Sequence, residues 1–418
     1  MNINKLKSFI LLWLTQALSQ LGSTMTSLAL GIWLYEKTGS ALQSALLNIC
    51  SYTPYVLVSI FAGALSDKWN KKKTMLICDS LAAMTTLIIF ILLKKDLLMP
   101  IHMYLLNIIN GLMNTFQQPA SETAMSVVTP KEYYQKTSGM RSFTRSLITI
   151  FAPVLATTIY SLFGIEVVCY FDLFSFGIAF VTLLFFIEIK EDIKKYEKAK
   201  MFELVKDGFV YLKENHIFLD IIIFMSGINL VASAFDTTII PLVLSKTHSE
   251  TILGIVTSFS GIAMLFGSFI ATIMKEPEDK PRTIFLMMFA SMLLENFMVA
   301  LTDSPIIWCI AQILGWLPVP IFSAAYDVFF KTNIPIEMQG RVYSFRNCLQ
   351  FFTIPIGNFL GGYLVDLFEP IMANMNSGLL FNMFGNKLGS GASLTMFIMG
   401  VYGVVHCLLF KNKFIKKV

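Results

Sequence analysis

The sequence predicts an all-α integral membrane protein with twelve transmembrane helices in two pseudo-symmetric bundles of six. The first observation behind this is composition: 55% of the 418 residues are hydrophobic and 14% are charged, with a mean hydropathy of +0.67. Soluble globular domains carry about 25% charged residues. The second is the number of long apolar runs, and the third is the distribution of basic residues between them. A soluble enzyme, a disordered chain and a disulfide scaffold are excluded.

Twelve apolar runs are long enough to cross a hydrocarbon core, which takes about 20 helical residues. Six of them cover about 8–35, 41–65, 74–95, 100–122, 138–163 and 165–188. After a polar bridge, six more cover about 220–245, 251–274, 283–302, 304–328, 342–368 and 391–410. The predicted domains are therefore a first bundle at 1–188, a cytosolic linker with an amphipathic helix at 189–218, and a second bundle at 219–418.

Basic residues fall on alternate connecting segments. All but five of the 32 lysines and arginines lie on the side of the N-terminus. Since cytoplasmic loops carry the excess of Lys and Arg, both termini are expected in the cytosol and the chain in the plasma membrane. The exceptions are Lys37, Lys94, Lys95, Lys246 and Lys387.

Two short patterns recur between the halves. Lys37-Thr38-x-Ser40 follows span 1, and Lys246-Thr247-x-Ser249 follows span 7. Pro153 of span 5 likewise corresponds to Pro355 of span 11. Equivalent spans six apart are typical of transporters built from two parallel halves, with the substrate bound between them.

A loop motif separates spans 2 and 3. Its small and charged residues suit close helix packing, a helix end and contact with an anionic leaflet. The motif resembles the G-x-L-a-D-r-x-G-r-k loop of the major facilitator superfamily, except that Asn70 replaces the usual glycine and is expected in a left-handed turn. The motif residues are Gly63, Leu65, Asp67, Lys68, Asn70, Lys71 and Lys72.

Further segments resemble the macrolide-efflux and enterobactin-exporter branch of that superfamily. They are Phe116-x-x-Pro119-Ala120, Thr129-Pro130-Lys131-Glu132, Asp79 in span 3, and Asp172-Leu173-Phe174-Ser175-Phe176 in span 6. The resemblance covers essentially the whole chain. It implies the major facilitator fold and proton-driven export of amphipathic compounds by alternating access. Span 5 departs from the antiporter pattern, because Ala152 precedes Pro153 where glycine is usual.

Ionisable residues within a bilayer are costly and mark functional candidates. Asp236 lies deep in span 7, and Glu295 is equally deep in span 9. A carboxyl group among apolar side chains can exchange a proton near neutral pH, so both are candidates for proton coupling. The alternative is a hydrogen bond that packs two helices.

Amide and hydroxyl residues recur at helical spacing on spans 1, 4 and 7. Within lipid such a stripe lines either a helix contact or a wet cavity. Because spans 1, 4 and 7 line the central pathway in the superfamily, these residues are candidates for the cavity. They are Gln16, Gln20, Ser23, Asn107, Asn110, Asn114, Gln117, Ser226, Asn229 and Ser233.

Five further charges are expected to be structural or to act in gating. Asp79 and Asp172 lie on spans that usually face away from the cavity in the superfamily, which favours structural pairing. Asp327 and Arg145 lie near the predicted cytosolic ends of spans 10 and 5, and Arg346 could meet Asp327 or Asp67.

The leading hypothesis is a proton-coupled exporter of amphipathic small molecules, such as macrolide-like antibiotics or other drugs. The alternative is proton- or sodium-coupled uptake of a small nutrient, or export of a metabolite or siderophore, by the same fold. Four dispersed histidines, no G-x-S-x-G and no Walker loop argue against an enzyme and against ATP as the energy source. The expected partners are the substrate, protons and the lipid bilayer. No cofactor, metal or nucleic acid is expected, and the chain is expected to be a monomer.

Overall fold

The computed structural model describes residues 3–189 and 210–415, and the regular elements in these ranges are helices. In the first half the helices are α1 (Ile3–Thr38), α2 (Ala41–Lys68), α3 (Lys71–Lys94), α4 (Pro100–Val127), α5 (Tyr134–Phe163) and α6 (Ile165–Phe186). A 3₁₀ turn, Lys131–Tyr133, leads into α5.

The second half has shorter elements as well as long ones. It comprises α7 (His216–Thr247), α8 (Glu250–Ile273), α9 (Lys280–Ala300), α10 (Pro305–Trp316), α11 (Pro318–Asn333), α12 (Ile336–Phe351), α13 (Thr353–Ala373), α14 (Leu379–Phe384) and α15 (Ser390–Phe414). Each of the twelve predicted runs coincides with one helix or one pair of consecutive helices, which confirms the predicted fold class.

Nine stretches among the described residues are long and apolar enough to cross a membrane by length and composition. Helices α1, α2 and α4 are not among them, although they have 36, 28 and 28 residues. In α1 and α4 the amide-bearing stripes lower the mean hydropathy, because each amide replaces an apolar side chain. A search by hydropathy alone therefore undercounts the spans of this chain.

The chain divides into two compact units. Unit 1 comprises Met1–Leu34 and Cys50–Ala199, and unit 2 comprises Tyr35–Ile49 and Lys200–Val418. Of the predicted linker, residues 190–209 lie outside the described part, and with them most of the predicted amphipathic helix. Leu212, from the end of that segment, is fully buried in the apolar core of unit 2.

Spans 10 and 11 are each divided into two helices. In span 10, α10 ends at Trp316 and α11 begins at Pro318; in span 11, α12 ends at Phe351 and α13 begins at Thr353. Proline has no N–H to donate, so Pro318, Pro320 and Pro355 interrupt the hydrogen bonds of the two spans. Pro153, the counterpart of Pro355, lies inside the continuous helix α5.

The turns after spans 1 and 7 share one local structure. Gly39 and His248, at equivalent places in the repeat, both have left-handed backbones, with φ of 65° and 51°. The hydroxyl groups of the next residues accept hydrogen bonds from the starting turns of α2 and α8, from Gln43 N to Ser40 at 3.1 Å and from Ile252 N to Ser249 at 3.3 Å. The turns support the internal repeat, because serine is a preferred helix N-cap.

Two acidic residues of α13 cap the N-termini of two other helices in unit 2. The Asp366 carboxylate accepts hydrogen bonds from the Ser40 hydroxyl at 2.5 Å and from Ala41 N at 2.7 Å, at the start of α2. Glu369 accepts from Gly389 N at 2.5 Å and Gly391 N at 2.8 Å, at the start of α15. Carboxylates are favourable at helix N-termini, where N–H groups lack partners. Glu369 thus ties the long segment 369–390 to α15.

Asp366→Ala is expected to lower the free energy of unfolding by about 1–2 kcal/mol, since the start of α2 loses its capping group. Thermal unfolding of the purified protein in detergent measures the change. Asp366→Asn keeps one acceptor oxygen and should lose less. Equal losses for the two variants would contradict the capping interpretation.

Candidate substrate and proton sites

Asp79 of α3 joins three helices of unit 1. Its carboxylate accepts hydrogen bonds from the Gln117 amide of α4 at 2.6 Å and from the Gln16 amide of α1 at 3.3 Å. The two glutamines also contact each other at 3.4 Å. No cation pairs with Asp79 among the described residues, so neutral donors alone satisfy it. Two predicted cavity residues are therefore engaged with a predicted structural charge.

Asp172 of α6 has a similar environment. It accepts hydrogen bonds from Ser23 of α1 and Thr86 of α3, each at 3.0 Å. Gly22 lets α1 approach α6 closely, since a Cβ at Gly22 would lie 2.9 Å from the Cα of Asp172. Asp172 is buried, and its bonds tie α1, α3 and α6 together.

The rest of the amide stripe in unit 1 is more open. Gln20 of α1 and Asn114 of α4 are exposed, whereas Asn107 and Asn110 are half-buried. Asn114 donates to the Asn110 side chain at 3.4 Å, and Asn107 donates to the Met103 carbonyl at 3.0 Å. Unit 1 thus carries a polar surface one or two turns away from the Asp79 cluster.

In the loop motif, Asn70 caps a helix. Its side-chain oxygen accepts a hydrogen bond from Lys73 N at 2.9 Å, and its φ of −65° and ψ of 118° are those of an extended residue. The expectation of a left-handed turn at Asn70 was wrong, because an N-cap needs an extended backbone. Lys72 donates to the Leu184 and Ile187 carbonyls at the end of α6, at 2.9 and 2.7 Å.

The remaining motif residues occupy two places. Lys71 is buried, and its ammonium donates to the Trp69 carbonyl at 2.9 Å. The other four lie in the last turns of α2, and their side chains are outside the described part of the structure. They are Gly63, Leu65, Asp67 and Lys68.

Asn70→Ala is expected to destabilise the protein by about 1 kcal/mol, whereas Asn70→Gly, which restores the usual residue of the superfamily, should cost only a few tenths. Melting temperatures in detergent distinguish the two. A glycine variant as unstable as the alanine variant would contradict the capping role.

The stripe on α7 packs against span 11. Ser226 donates to the Leu349 carbonyl at 3.0 Å, and Asn229 donates to the Gln350 carbonyl at 2.9 Å. Ser233 is buried, and a Cβ at Gly357 would lie 2.1 Å from its hydroxyl oxygen. Ser226, Asn229 and Ser233 thus pack against span 11, and their place in a cavity stays a prediction. The physical reason for this packing is the division of span 11, which leaves carbonyls in need of donors.

Asp236 differs from its neighbours on α7. Its side chain is exposed, whereas Phe235 and Thr237 on either side of it are buried. Within the described residues its carboxyl group has no hydrogen bond or ion pair. A carboxylate on a membrane-spanning helix must face water or a partner. Asp236 therefore marks a place where water or a polar ligand reaches α7.

Glu295 of α9 is buried, with 6% of its surface exposed. Its Oε1 atom has no hydrogen-bond partner among the described residues. The Trp316 indole is a nearby polar group that favours the charged form of the carboxyl group. Asp236 acts on Glu295 electrostatically, so the two predicted proton-coupling residues lie within reach of each other in unit 2.

Arg346 does not meet Asp327. Its guanidinium lies over the rings of Tyr343, Tyr326 and Phe330, with centroid distances of 4.8, 5.3 and 5.5 Å. It donates to the Asn347 side chain at 3.0 Å. Cation–π contacts therefore take the place of the expected pair with Asp327. The alternative partner, Asp67, lies outside the residues whose side chains are described. Arg145 of α5 and Asp327 of α11 are exposed.

A family model described as Major Facilitator Superfamily matches residues 12–292, more than half of the chain. The chain belongs to this superfamily. Curated relatives of this facilitator include Macrolide efflux protein A of Streptococcus pyogenes, 23% identical over 373 residues, with 87% of this chain and 90% of the relative covered. Another is the Staphyloferrin A transporter of Staphylococcus aureus (strain NCTC 8325 / PS 47), 22% identical, with 83% and 87% covered.

Solved structures confirm the facilitator fold. A crystal structure of the nucleoside transporter NupG aligns with a TM-score of 0.73 at 17% identity and covers 100% of both chains. This similarity establishes the multi-pass membrane fold alone. The orientation of the termini, the plasma membrane as location and the monomeric state stay predictions.

Some residues around the candidate proton site were missed from the sequence. Gln312 of α10 and Asn296 of α9 are 2% and 1% exposed, and each has a side-chain oxygen without a partner among the described residues. Their signal was an amide deep within an apolar run, the same signal that singled out the stripes on spans 1, 4 and 7.

Proposed function

We propose that this facilitator exports amphipathic small molecules, such as macrolide-like antibiotics or other drugs, in exchange for protons by alternating access. The observation that carries the proposal is the exposed, unpaired carboxyl group of Asp236 on a membrane-spanning helix. A relative named for macrolide efflux, aligned over most of both chains, supports the substrate class.

The polar composition of the exposed surfaces suits an amphipathic substrate. Asp236 of unit 2 is exposed and offers one acidic group. Ligand sites are mostly apolar, with a few polar groups that fix orientation. The carboxylate form of Asp236 attracts a cationic substrate or a proton, and either one neutralises it. Competition of this kind for one carboxylate couples proton entry to substrate release.

Efflux from intact cells tests the proposal. A host that lacks its own drug pumps, expressing the chain, should accumulate less of a macrolide or a cationic dye than the same host with an empty vector. A protonophore should abolish the difference, because it removes the driving force. Unchanged accumulation across a panel of macrolides and dyes would contradict drug export.

A second function is uptake of a nutrient, or export of a metabolite or siderophore, by the same fold. A relative named Staphyloferrin A transporter favours this candidate. Inverted vesicles with an imposed proton gradient separate the two directions of flux. Substrate that enters inverted vesicles as protons leave indicates export, whereas substrate that leaves together with protons indicates uptake.

A further inference from the structure

A niche in unit 2 surrounds the Glu295 carboxyl group, where α9 packs against α10. Gly315 of α10 forms its floor, since a Cβ there would lie 2.3 Å from both Cδ and Oε2 of Glu295. The Trp316 indole is the neighbouring donor. Oε1 of Glu295 is buried and has no partner among the described residues. The niche therefore encloses the carboxyl group without a full set of donors.

One polar side chain of α10 lies on the same face of the helix as Gly315. It is Gln312, one turn before Gly315, which is 2% exposed and whose Oε1 is unpartnered within the described part of the chain. Acceptor oxygens repel a carboxylate but accept a hydrogen bond from a carboxylic acid.

Charged groups on the elements packed against α9 do not compensate a carboxylate at Glu295. Asp236 of α7 is the charged side chain that acts on Glu295 among the described residues, and its charge is of the same sign. The other elements contribute no cation that acts on it. Their titratable groups are Cys309 of α10; Tyr326, Asp327 and Lys331 of α11; and Tyr402, His406, Cys407, Lys411 and Lys413 of α15.

We infer that Glu295 is a resident proton carrier: in this conformation it is a neutral carboxylic acid, held in the niche that Gly315, Trp316 and Gln312 form. A buried carboxylate without a counter-charge or a full set of donors is costly, and protonation removes that cost. Asp236, which is exposed, is then the group that meets water and substrate. The two acids differ in access, so one holds a proton while the other exchanges.

The inference deepens the proposed function, but its test does not depend on transport. In infrared spectra of the purified protein at pH 7, the wild type should show the C=O stretching band of a protonated carboxylic acid. The difference spectrum of wild type minus Glu295→Gln should contain this band, whereas the same component should remain in Asp236→Asn. Asp79 and Asp172, which also have only neutral donors, are common to all three proteins and cancel in the difference. Glutamine is close in shape and uncharged, so the fold is expected to survive.

A second pair of variants tests the niche. Gly315→Ala adds a methyl group against the carboxyl group, and Gln312→Leu removes the nearby acceptor; each should shift the frequency of the same band. Gly177→Ala, whose Cβ would meet nothing within 4 Å, is the matched control and should leave it unchanged.

Three results would overturn the inference. They are no protonated band in the wild type at pH 7, no such band in the difference spectrum of wild type minus Glu295→Gln, and a carboxylate band of Glu295 that responds to sodium at constant pH. The last would mark the niche as a sodium site. If the wild-type protein shows the band but exports no drug, the proposed function is contradicted. The inference that Glu295 carries a proton is not.

Discussion

Asparagine in place of Asp236 is expected to abolish proton-driven accumulation of substrate, with a loss of at least about tenfold in the efflux rate. An amide keeps the size of the side chain but neither binds nor releases a proton in the physiological range. Asp236 makes no hydrogen bond to a described residue, so the substitution breaks no hydrogen bond within the described part of the chain. Proton-driven uptake of a macrolide or dye into inverted vesicles measures the effect.

Two comparisons separate loss of coupling from loss of fold. Asp236→Glu retains a carboxyl group and should retain part of the activity. Asp96→Asn makes the same chemical change in an exposed turn with φ of 53°, a left-handed conformation that asparagine tolerates, and should leave transport unchanged. Vesicles that contain the Asp236→Asn variant should still exchange labelled for unlabelled substrate down the gradient of the labelled substrate. If the Asp236→Asn variant transports substrate against its gradient as fast as the wild type does, Asp236 has no role in coupling.

The helical spacing of the polar residues predicted that they share one face of a helix. It did not predict which part of the protein packs against that face. Ser226, Asn229 and Ser233 share a face of α7, and all three pack against span 11. Ser226 and Asn229 donate to carbonyls about 120 positions away, which no local pattern encodes. Ser233 donates to the Asn229 and Leu230 carbonyls of its own helix. Asp236, assigned to the same series, is exposed instead. The helix and the face that carry these residues could be predicted from the sequence, whereas their burial depended on a distant helix.

The same limit applies to unit 1. The glutamines of α1 and α4 and the acid of α3 could be identified separately, because each is a polar group in an apolar run. Both glutamines donate hydrogen bonds to Asp79, which lies 63 positions from Gln16 and 38 positions from Gln117. In contrast, the turns at Gly39 and His248 are local, and the short repeat that contains them predicted their correspondence correctly.

The division of spans 10 and 11 into two helices each could be predicted from the sequence only in part. The prolines marked possible interruptions, and the structure interrupts both spans near them. Pro153 shows why the outcome could not be predicted from proline alone, since α5 continues through it. Whether a helix divides depends on donors for its freed carbonyls, and in span 11 α7 supplies them.

Gly111→Ala is expected to be among the most destabilising single substitutions in unit 1. A Cβ at this position of α4 would lie 2.0 Å from the Ser51 carbonyl oxygen and 2.8 Å from its carbonyl carbon. Both atoms belong to the backbone of α2, so no side-chain rotation relieves the overlap and the two helices must separate. Overpacking of this kind typically costs about 1–3 kcal/mol.

A control variant with the same glycine-to-alanine change should shift the stability in the opposite direction. Gly177→Ala on α6 introduces the same methyl group into open space, and alanine favours a helix over glycine by about 1 kcal/mol, so this variant should be stabilised. Because the chain has free cysteines, including buried Cys78 and Cys169, the fluorescence of a thiol-reactive dye during heating reports unfolding in detergent. The two alanine variants should melt on opposite sides of the wild type. A Gly111→Ala protein as stable as the wild type would mean that α2 and α4 do not approach each other as closely as the structure places them.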